Sequence, residues 1–303
     1  MSITMSPFRY PGGKSQLYKF VEHLLEINHV ENGTYIEAFA GGSGLAIKLL
    51  VEDKIDNIWI NDYDRSIYSV WYAILNTPEQ LIERINQVPF DYQTGSVHSD
   101  EYNIEYWNEI RSLYLQNNTN AHSIDNAFAT LFLNRTNRSG IITGGPIGGK
   151  MQLNTKIYAR FNKNTLIRKI NLIHSLKDRI RLTQLDALKL IPIMQQETDT
   201  DNTFIFFDPP YYDQGSNLYF SSFNHEDHST MARSILSLND YKWITTYDNV
   251  TAIREIYANS EQRFEYDIRY TANNSKRGMA KEVMYSNNLT MLESYANIIL
   301  REI

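Results

Sequence analysis

An apolar run that ends in an acid, two prolines and an aromatic residue decides the fold: Phe204-Ile205-Phe206-Phe207-Asp208-Pro209-Pro210-Tyr211. Four consecutive apolar residues predict a buried strand, and Asp208 then stands at its carboxyl end. The prolines have no amide hydrogen, so nearby carbonyls stay available as acceptors. Asp208 can accept a hydrogen bond from an amino group, and Tyr211 offers a face for stacking. These parts suit chemistry on the exocyclic amine of a nucleobase, although an isolated stretch of this kind is more often a plain turn.

Strand and helix patterns alternate on both sides of this stretch, with one long interruption. Strands are predicted over 34–39, 57–61, 179–183, 204–207, 242–246, 264–271 and 283–286. Helices are predicted over 45–50, 66–75, 79–88, 105–116, 124–134, 165–176, 231–236 and 250–257. We therefore expect an α/β protein with a Rossmann-like doubly wound sheet over residues 1–75 and 165–303, and an inserted, mainly helical domain over 76–164.

Acids stand at the carboxyl ends of four predicted strands: Glu37, Asp62, Asp186 and Asp208. Ligands of an open parallel sheet bind at these ends, and the glycine turn after Phe39 lets the backbone come close to a ligand. That turn lacks the full spacing of a dinucleotide-binding fingerprint. A ligand with a ribose, an adenine and a positive centre would explain the acidic lining, and S-adenosylmethionine fits this description. Taken singly, each acid is more often a helix cap or a surface residue.

The composition excludes several kinds of protein. The 303-residue chain has no cysteine, which rules out disulfides and thiolate metal sites. Its start lacks the basic-then-apolar order of a signal peptide, and no apolar stretch approaches the ~20 residues that span a membrane. We therefore expect a soluble, intracellular protein without a membrane partner.

The charge of the chain is unevenly distributed. The net charge is −6, which taken alone argues weakly against a nucleic-acid partner. Residues 134–181, however, hold eleven Lys or Arg and one acid, a local charge of +10, and the remainder carries −16. Because a polyanion responds to the field of one face, this segment favours nucleic acid over an ordinary solvated helix face.

Taken together, these segments resemble the Dam-like (alpha-type) family of site-specific DNA adenine-N6 methyltransferases. The resemblance spans nearly the whole chain and rests on Pro7 to Lys14, Glu37 to Gly44, Asn61-Asp62, Asn134 to Gly140, Asp208 to Tyr211 and Tyr219 to Phe223. It implies the methyltransferase form of the Rossmann-like fold and S-adenosyl-L-methionine as cofactor, with no metal. The implied reaction moves a methyl group to a flipped-out adenine in a specific site of double-stranded DNA.

The resemblance also implies roles for individual residues. Tyr10 and Lys14 would belong to an amino-terminal cofactor motif, and Asp62 would bind the ribose. The other residues implied to line the cofactor crevice are Glu37, Phe39, Gly41, Gly42, Gly44, Asp186 and Asp208, with Phe39 and the glycines on the methionine side and Asp186 at the cofactor adenine. The implied catalytic residues are Asp208, Pro209, Pro210 and Tyr211, of which Asp208 and Tyr211 would hold the target adenine. Phe223 would pack near one of these pockets.

The inserted domain would recognise the DNA target. We choose Arg135, Arg138, Lys150 and Arg160 as its contacts to phosphate or base. The glycines over 144–149 would shape a loop that enters a groove, or would only close a tight turn. Because this segment departs from the recognition hairpin of GATC-methylating members, the target sequence is left open.

Two other functions stay open at this stage. The chain could be a catalytically silent DNA-binding protein that senses the cofactor, or a methyltransferase of RNA or protein. Further expectations are a cognate restriction endonuclease, a monomer or weak dimer, and the cytoplasm of a bacterial or phage-infected cell.

Overall fold

The computed structural model describes residues 5–9, 14–213, 223–270 and 278–303. The chain forms two compact units. The helical unit contains Met1–Gly13 and Asp64–Asp178, and the sheet unit contains Lys14–Tyr63 and Arg179–Ile303. Within the described ranges, no helix is both long and apolar enough to cross a bilayer.

Ten strands follow one another along the part of the chain that the structure describes. They are β1 (Thr34–Glu37), β2 (Asn57–Asn61), β3 (Phe90–Asp91), β4 (Gly95–Ser96), β5 (Ile180–Thr183), β6 (Thr203–Phe207), β7 (Lys242–Asp248), β8 (Gln262–Tyr270), β9 (Gly278–Ser286) and β10 (Arg301–Glu302). Strands β3 and β4 pair with each other in the helical unit. The other eight form one sheet in the order β10-β8-β9-β7-β6-β1-β2-β5.

The helices found in the described ranges are distributed over both units. They are α1 (Tyr18–Ile27), α2 (Gly44–Val51), α3 (Arg65–Asn76), α4 (Pro78–Gln87), α5 (Asp100–Asn117), α6 (Ile124–Thr136), α7 (Lys163–Ser175), α8 (Ala187–Glu197), α9 (His225–Leu236) and α10 (Thr251–Ile256).

The large sheet is mostly parallel and has helices on both faces. Strands β5, β2, β1, β6 and β7 run parallel, and β9, β8 and β10 continue the sheet in antiparallel pairing. Ile36 and Ile205 pack on one face with residues of α8, α9 and α10. The alternate residues Tyr35 and Phe204 stack on the other face, and α2 contacts β1 and β2. This arrangement confirms the predicted α/β, Rossmann-like doubly wound sheet.

The helical unit is organised around α6. Nearly every residue of α6 is buried, and α3, α4 and α5 all pack against it. Aromatic rings fill its core, among them Phe90, Phe132 and Phe161 with centroids 5.7–5.9 Å apart. The boundaries predicted for the insertion, residues 76 and 164, lie inside this unit because α3 and α7 pack with the inserted helices. The assignment of the unit to target recognition stays a prediction.

Two helices were not predicted from the sequence, although both bury an apolar face. In α1, Phe20, Val21, Leu24 and Leu25 are buried at helical spacing, so the pattern was present in the sequence. In α8, Pro192 lies within the helix. Since proline lacks an amide hydrogen, its position argues against a helix in any local analysis.

Gly33 lies where three neighbouring strands begin, and a substitution there tests how closely their backbones are packed. A Cβ on Gly33 would lie 2.1 Å from the Asn202 carbonyl oxygen, which accepts the Thr34 amide at 2.8 Å. We expect Gly33→Ala to force this backbone apart and to lower the free energy of unfolding by roughly 1–3 kcal/mol. Urea denaturation measures the effect, with Gly145→Ala as the control because a Cβ there meets no atom within 4 Å. Equal stability of the two variants would show that the sheet edge tolerates the extra carbon.

Candidate active site

The glycine turn after β1 is built around Glu37. This buried carboxylate accepts hydrogen bonds from Ser43 Oγ at 2.6 Å and from the Ala46 amide at 3.2 Å, so it holds the start of α2. Gly41 and Ser43 both have left-handed backbone angles, φ 48° and 42°. Burial raises the pKa of Glu37 to about 7. Glu37 therefore fixes the shape of the turn, and a direct contact with the cofactor stays a prediction.

Asp62 lies beside the same turn, at the end of β2. Its Oδ2 accepts the amide of Gly41 at 2.7 Å. Gly42 is buried next to it, and Gly44 begins α2. The structure thus brings together the acid and the glycines that the sequence analysis assigned to one crevice.

Asn61 joins the ends of three neighbouring chain segments. Its Nδ2 donates to the carbonyls of Ala38 and Leu185 at 3.0 and 2.9 Å. Its Oδ1 accepts from Thr183 Oγ1 and from the Leu185 amide, each at 2.9 Å. This role was not predicted from the sequence, although an asparagine at the end of an apolar strand is a usable signal.

Asp186 and Phe39 occupy the neighbouring positions. Asp186 is half-buried after β5 and caps α8 by accepting the Leu188 amide at 2.8 Å. Phe39 is half-buried and meets Phe223 edge to face with ring centroids 6.2 Å apart. Tyr10 and residues 11–13 and 219–222 of the implied motifs lie outside the described residues.

Asp208 follows β6 and reaches the same edge of the sheet, because β1 pairs with β6 in parallel with Glu37 opposite Phe206. Its Oδ1 lies 3.3 Å from Lys14 Nζ and accepts Thr246 Oγ1 from β7 at 3.0 Å. The side chain keeps 25% of its surface exposed. Burial raises the pKa of Asp208 to about 6, although Lys14 acts in the opposite direction. Above that pH the carboxylate is an acceptor fixed in direction at the edge of the sheet.

Beneath Asp208 lies a buried polar cluster that the sequence analysis missed in part. Glu282 of β9 is 1% exposed, and both of its oxygens lie 3.3 Å from Lys14 Nζ. Tyr211 donates its hydroxyl to Glu282 Oε1 at 2.5 Å, and Tyr266 of β8 donates to Oε2. Lys14 also bonds the Tyr211 hydroxyl and lies 4.6 Å from the centre of that ring.

The charges in this cluster compensate one another. Burial alone lowers the pKa of Lys14, but the carboxylates of Asp208 and Glu282 outweigh it and raise the pKa above its ordinary value. Lys14 is therefore an ammonium at neutral pH. Lys14, Asp208 and Tyr211, which were assigned to two different motifs, lie together here. Pro209 and Pro210, which stand between Asp208 and Tyr211 in the chain, are buried. The sequence did offer one signal for Glu282, because a charged residue there stands directly before the apolar run that begins at Val283.

Asp248 at the end of β7 fixes the backbone that follows Tyr211. Its two oxygens accept the amides of Tyr212 and Asp213, each at 3.0 Å. Burial raises the pKa of this carboxyl. Among the described residues, no group of three or more His, Asp or Glu side chains is arranged to hold a metal ion.

The four predicted DNA contacts lie in the helical unit. Arg135 donates from Nε to the Arg160 carbonyl at 2.8 Å, so the structure brings these two residues together. Arg138 and Lys150 are exposed at the glycine-rich segment, where Arg138 Nε donates to the Pro146 carbonyl at 3.3 Å. Asn137 Nδ2 donates to the carbonyls of Ile141, Ile142 and Gly144. The segment is therefore a compact loop wound around one asparagine.

Comparisons with known proteins show which proteins this chain resembles. The family model D12 class N6 adenine-specific DNA methyltransferase matches residues 10–272. The chain is 26% identical over 236 residues to the Type II methyltransferase M1.LlaDCHI of Lactococcus lactis subsp. cremoris, covering 75% of this chain and 73% of that protein. It is 23% identical over 241 residues to the Type II methyltransferase M.MjaIII of Methanocaldococcus jannaschii, with coverages of 76% and 79%. Two solved structures of the rRNA methyltransferase AviRa from Streptomyces viridochromogenes align at 10% identity and a TM-score of 0.34. One alignment covers 90% of this chain and 85% of that chain, and the other covers 88% and 83%.

The buried Glu37 carboxyl makes the stability of the protein depend on pH. Since its pKa is raised from 4.5 to about 7, the folded state holds a proton that the unfolded chain releases, and the free energy of unfolding falls as pH rises through this window. At pH 8 the cost is on the order of 3 kcal/mol, at 1.36 kcal/mol per pKa unit. We expect Glu37→Gln to lose this part of the pH dependence between pH 4.5 and 8, as measured by chemical denaturation.

The exposed Glu31 provides the matched control. Glu31→Gln should follow the wild-type curve at every pH. Parallel curves for Glu37→Gln and wild type would contradict a raised pKa at Glu37.

Proposed function

Because the chain belongs to the D12 class N6 adenine-specific DNA methyltransferase family, with a match over residues 10–272, we propose that Asp208 and Tyr211 hold the target adenine of its reaction. The enzyme transfers a methyl group from S-adenosyl-L-methionine to the N6 nitrogen of adenine in DNA. This membership confirms the function and the cofactor that the sequence predicted. One observation carries the residue-level proposal: the partly exposed Asp208 carboxylate is fixed by Lys14 and Thr246, three residues before the buried Tyr211.

The residues at the ends of β1, β2 and β5 fit the cofactor chemically. Asp62 would accept hydrogen bonds from the ribose hydroxyls, and Asp186 would contact the adenine. Gly41 and Gly42, which have no side chain, permit a close approach of the backbone, and Phe39 would wall the methionine end. When bound, S-adenosylmethionine supplies a methyl group on a positively charged sulfur. Carboxylates in the lining complement that positive charge.

Asp208 acts as a hydrogen-bond acceptor in this proposal. An adenine inside a duplex cannot present its amino group to a buried site, so it must leave the stack at a cost of a few kcal/mol. The Asp208 carboxylate and the Pro209 carbonyl would accept the two amino hydrogens, which orients the nitrogen lone pair. The contribution is positioning and electrostatics, because these acceptors are fixed before the base arrives.

Tyr211 would stack on the extruded base. Stacking of a base on an aromatic side chain recovers ~1–3 kcal/mol, which offsets much of the unstacking cost. Tyr211 exposes only 8% of its surface, so the side chains around it must move when DNA binds. Its hydroxyl stays fixed by Glu282 and Lys14, which we assign as positioning residues rather than catalytic ones.

The helical unit would select the DNA site. We assign the segment 76–164 to target recognition, with Arg135, Arg138, Lys150 and Arg160 as contacts. Double-stranded DNA is the substrate form that we propose. The Type II names of the two curated relatives support a cognate restriction endonuclease as a partner. A monomer or weak dimer in the cytoplasm of a bacterial or phage-infected cell is the setting we propose.

Removal of the Asp208 carboxylate tests the central role. We expect Asp208→Ala to reduce methyl transfer by at least ~10²–10³-fold, the scale for losing a fixed polar group in an active site, while DNA binding persists. Transfer of label from tritiated cofactor to DNA, RNA and protein measures both the activity and the substrate class. The control is Asp240→Ala, which removes an exposed acid that lies before β7. Full activity of Asp208→Ala would remove Asp208 from the mechanism, and label in RNA or protein alone would overturn DNA as the substrate.

Substitutions at Tyr211 separate the ring from its hydroxyl. Tyr211→Ala should lose most turnover because the base loses its stacking partner. Tyr211→Phe keeps the ring and removes the hydroxyl that bonds to Lys14 and Glu282, so part of the turnover should remain. Steady-state methyl transfer measures both, on a duplex whose target is first identified by sequencing N6-methyladenine in genomic DNA of expressing cells. Equal losses in the two variants would assign the role to the hydroxyl instead.

A further inference from the structure

Arg9 is held against the carboxyl-terminal end of α6. Asn134 Oδ1 accepts the Arg9 amide at 2.8 Å, and Asn134 Nδ2 donates to the Arg9 carbonyl at 2.9 Å. The guanidinium of Arg9 donates from Nη1 to the Asn137 carbonyl at 3.0 Å. A Cβ on Gly140 would lie 2.1 Å from the Arg9 carbonyl oxygen, so these two stretches of backbone pack closely. Arg9 therefore has a fixed position in the helical unit.

Two further arginines lie beside Arg9. Arg135 of α6 donates from Nε to the Arg160 carbonyl at 2.8 Å and from Nη1 to the Pro7 carbonyl at 3.5 Å. Burial, followed by the charges of Arg9 and Arg160, lowers the pKa of Arg135 to about 9. Burial and then Arg160 likewise lower the pKa of Arg9. The three guanidinium groups, which we call the arginine cluster, are therefore close enough to repel one another.

Carboxylates do not neutralise the arginine cluster. In residues 5–9, 14–213, 223–270 and 278–303, none of its members forms an ion pair, and the residues outside these ranges include no Asp or Glu. Its hydrogen bonds end on backbone carbonyls, which carry no net charge. Three other cations of residues 134–181 do pair with acids: Lys156 with Asp100, Arg179 with Asp53 and Arg181 with Glu197. The positive charge of the arginine cluster is thus left uncompensated, unlike that of these three cations.

Lys169 of α7 adds a fourth positive charge to the same region. It is buried, and its Nζ donates to the Ser6 carbonyl at 2.8 Å. Burial, followed by the charges of Arg135 and Arg168, lowers the pKa of Lys169 to about 8, so most of it is still an ammonium at neutral pH. Like charges gathered in a partly dehydrated place are unfavourable unless an anion binds them. The arginine cluster is open to such an anion, because Arg160 is exposed and Arg9 is half-buried.

We propose that Arg9, Arg135 and Arg160 together bind one phosphate of the DNA backbone as a single site. The inference rests on the proposed function, because DNA is the substrate that supplies the phosphate. Guanidinium groups match phosphate oxygens in geometry and charge, and one bound anion offsets the repulsion among the cations. The site fixes the position of the helical unit on the duplex and reads no base, because the phosphates are the same in every sequence.

Salt dependence tests whether the arginines share one phosphate. The double variant Arg9→Gln/Arg160→Gln loses two charges, and glutamine keeps an amide donor for the Asn137 carbonyl. On a duplex of fixed sequence, the slope of log Kd against log salt concentration should fall by about 1, the value for one lost phosphate contact. A fall of about 2 would show two separate contacts, and an unchanged slope would show none. Either result would overturn the single site.

Two single variants complete this measurement. Lys177→Gln, which removes an exposed cation of the same unit outside the arginine cluster, should keep the wild-type slope. Arg160→Gln changes an exposed side chain, so it should fold as the wild type does. It should nevertheless bind DNA roughly tenfold more weakly, the scale of one hydrogen bond to a charged group. Wild-type affinity of Arg160→Gln would contradict the proposal.

Sequence independence separates a phosphate contact from a base contact. The Kd of the double variant is measured on the target duplex, identified by sequencing N6-methyladenine, and on a duplex with one substituted base pair in the target. Because a phosphate carries no sequence information, both Kd values should rise by the same factor. A changed ratio of the two would show that the arginines read a base and would overturn the phosphate assignment.

Inorganic phosphate tests the arginine cluster without DNA. Potassium phosphate replaces potassium chloride at constant ionic strength, and urea denaturation is followed. An anion that binds only the folded protein stabilises it, so the midpoint of the wild type should rise more than that of the double variant, which accounts for general salt effects. Equal rises would overturn the anion site and leave methyl transfer intact. A larger rise in a wild type that methylates no DNA would instead refute the proposed function.

Discussion

The active edge of the sheet depends on one buried ammonium group. Lys14 lies between the carboxylates of Asp208 and Glu282, which are otherwise two acids in a largely buried region. Removal of a buried partner from such a group leaves an uncompensated charge, which is far more costly than the loss of a surface ion pair. The tyrosine hydroxyls of Tyr211 and Tyr266 satisfy the remaining acceptors. Four segments distant in sequence are thereby fixed to one another beside Asp208.

Two acids at neighbouring strand ends have different roles because their surroundings differ. Glu37 and Asp208 both have raised pKa values because both are shielded from water. Glu37 points into the turn and binds Ser43 and the α2 backbone, so it stabilises the conformation of the turn. Asp208 has a cation beside it and an exposed quarter of its surface, so it can meet a ligand. Residue type and strand position alone do not distinguish these two cases.

Which features could be predicted from the sequence depends on how far apart in the chain the interacting residues lie. Strand β6 and Asp208 could be located because an apolar run and the acid after it are a local pattern. The pairing of Tyr266 with Glu282 depends on the antiparallel register of β8 and β9, which no local pattern specifies. The fourfold role of Asn61 likewise needs three segments in place. The compact unit extends beyond the predicted residues 76–164 because α3 and α7 pack with the inserted helices, by surface complementarity that the sequence does not display.

The loop of the helical unit is shaped by side chains that bind backbone, and this has a consequence for its evolution. Asn137 and Gln152 hold the loop through carbonyls and amides, which every residue type provides. The outward positions between them therefore carry almost none of the folding constraint. Such a division lets natural variation, or a combinatorial library, exchange the outward residues while the scaffold is inherited unchanged, so new specificities can arise without first passing through unfolded intermediates.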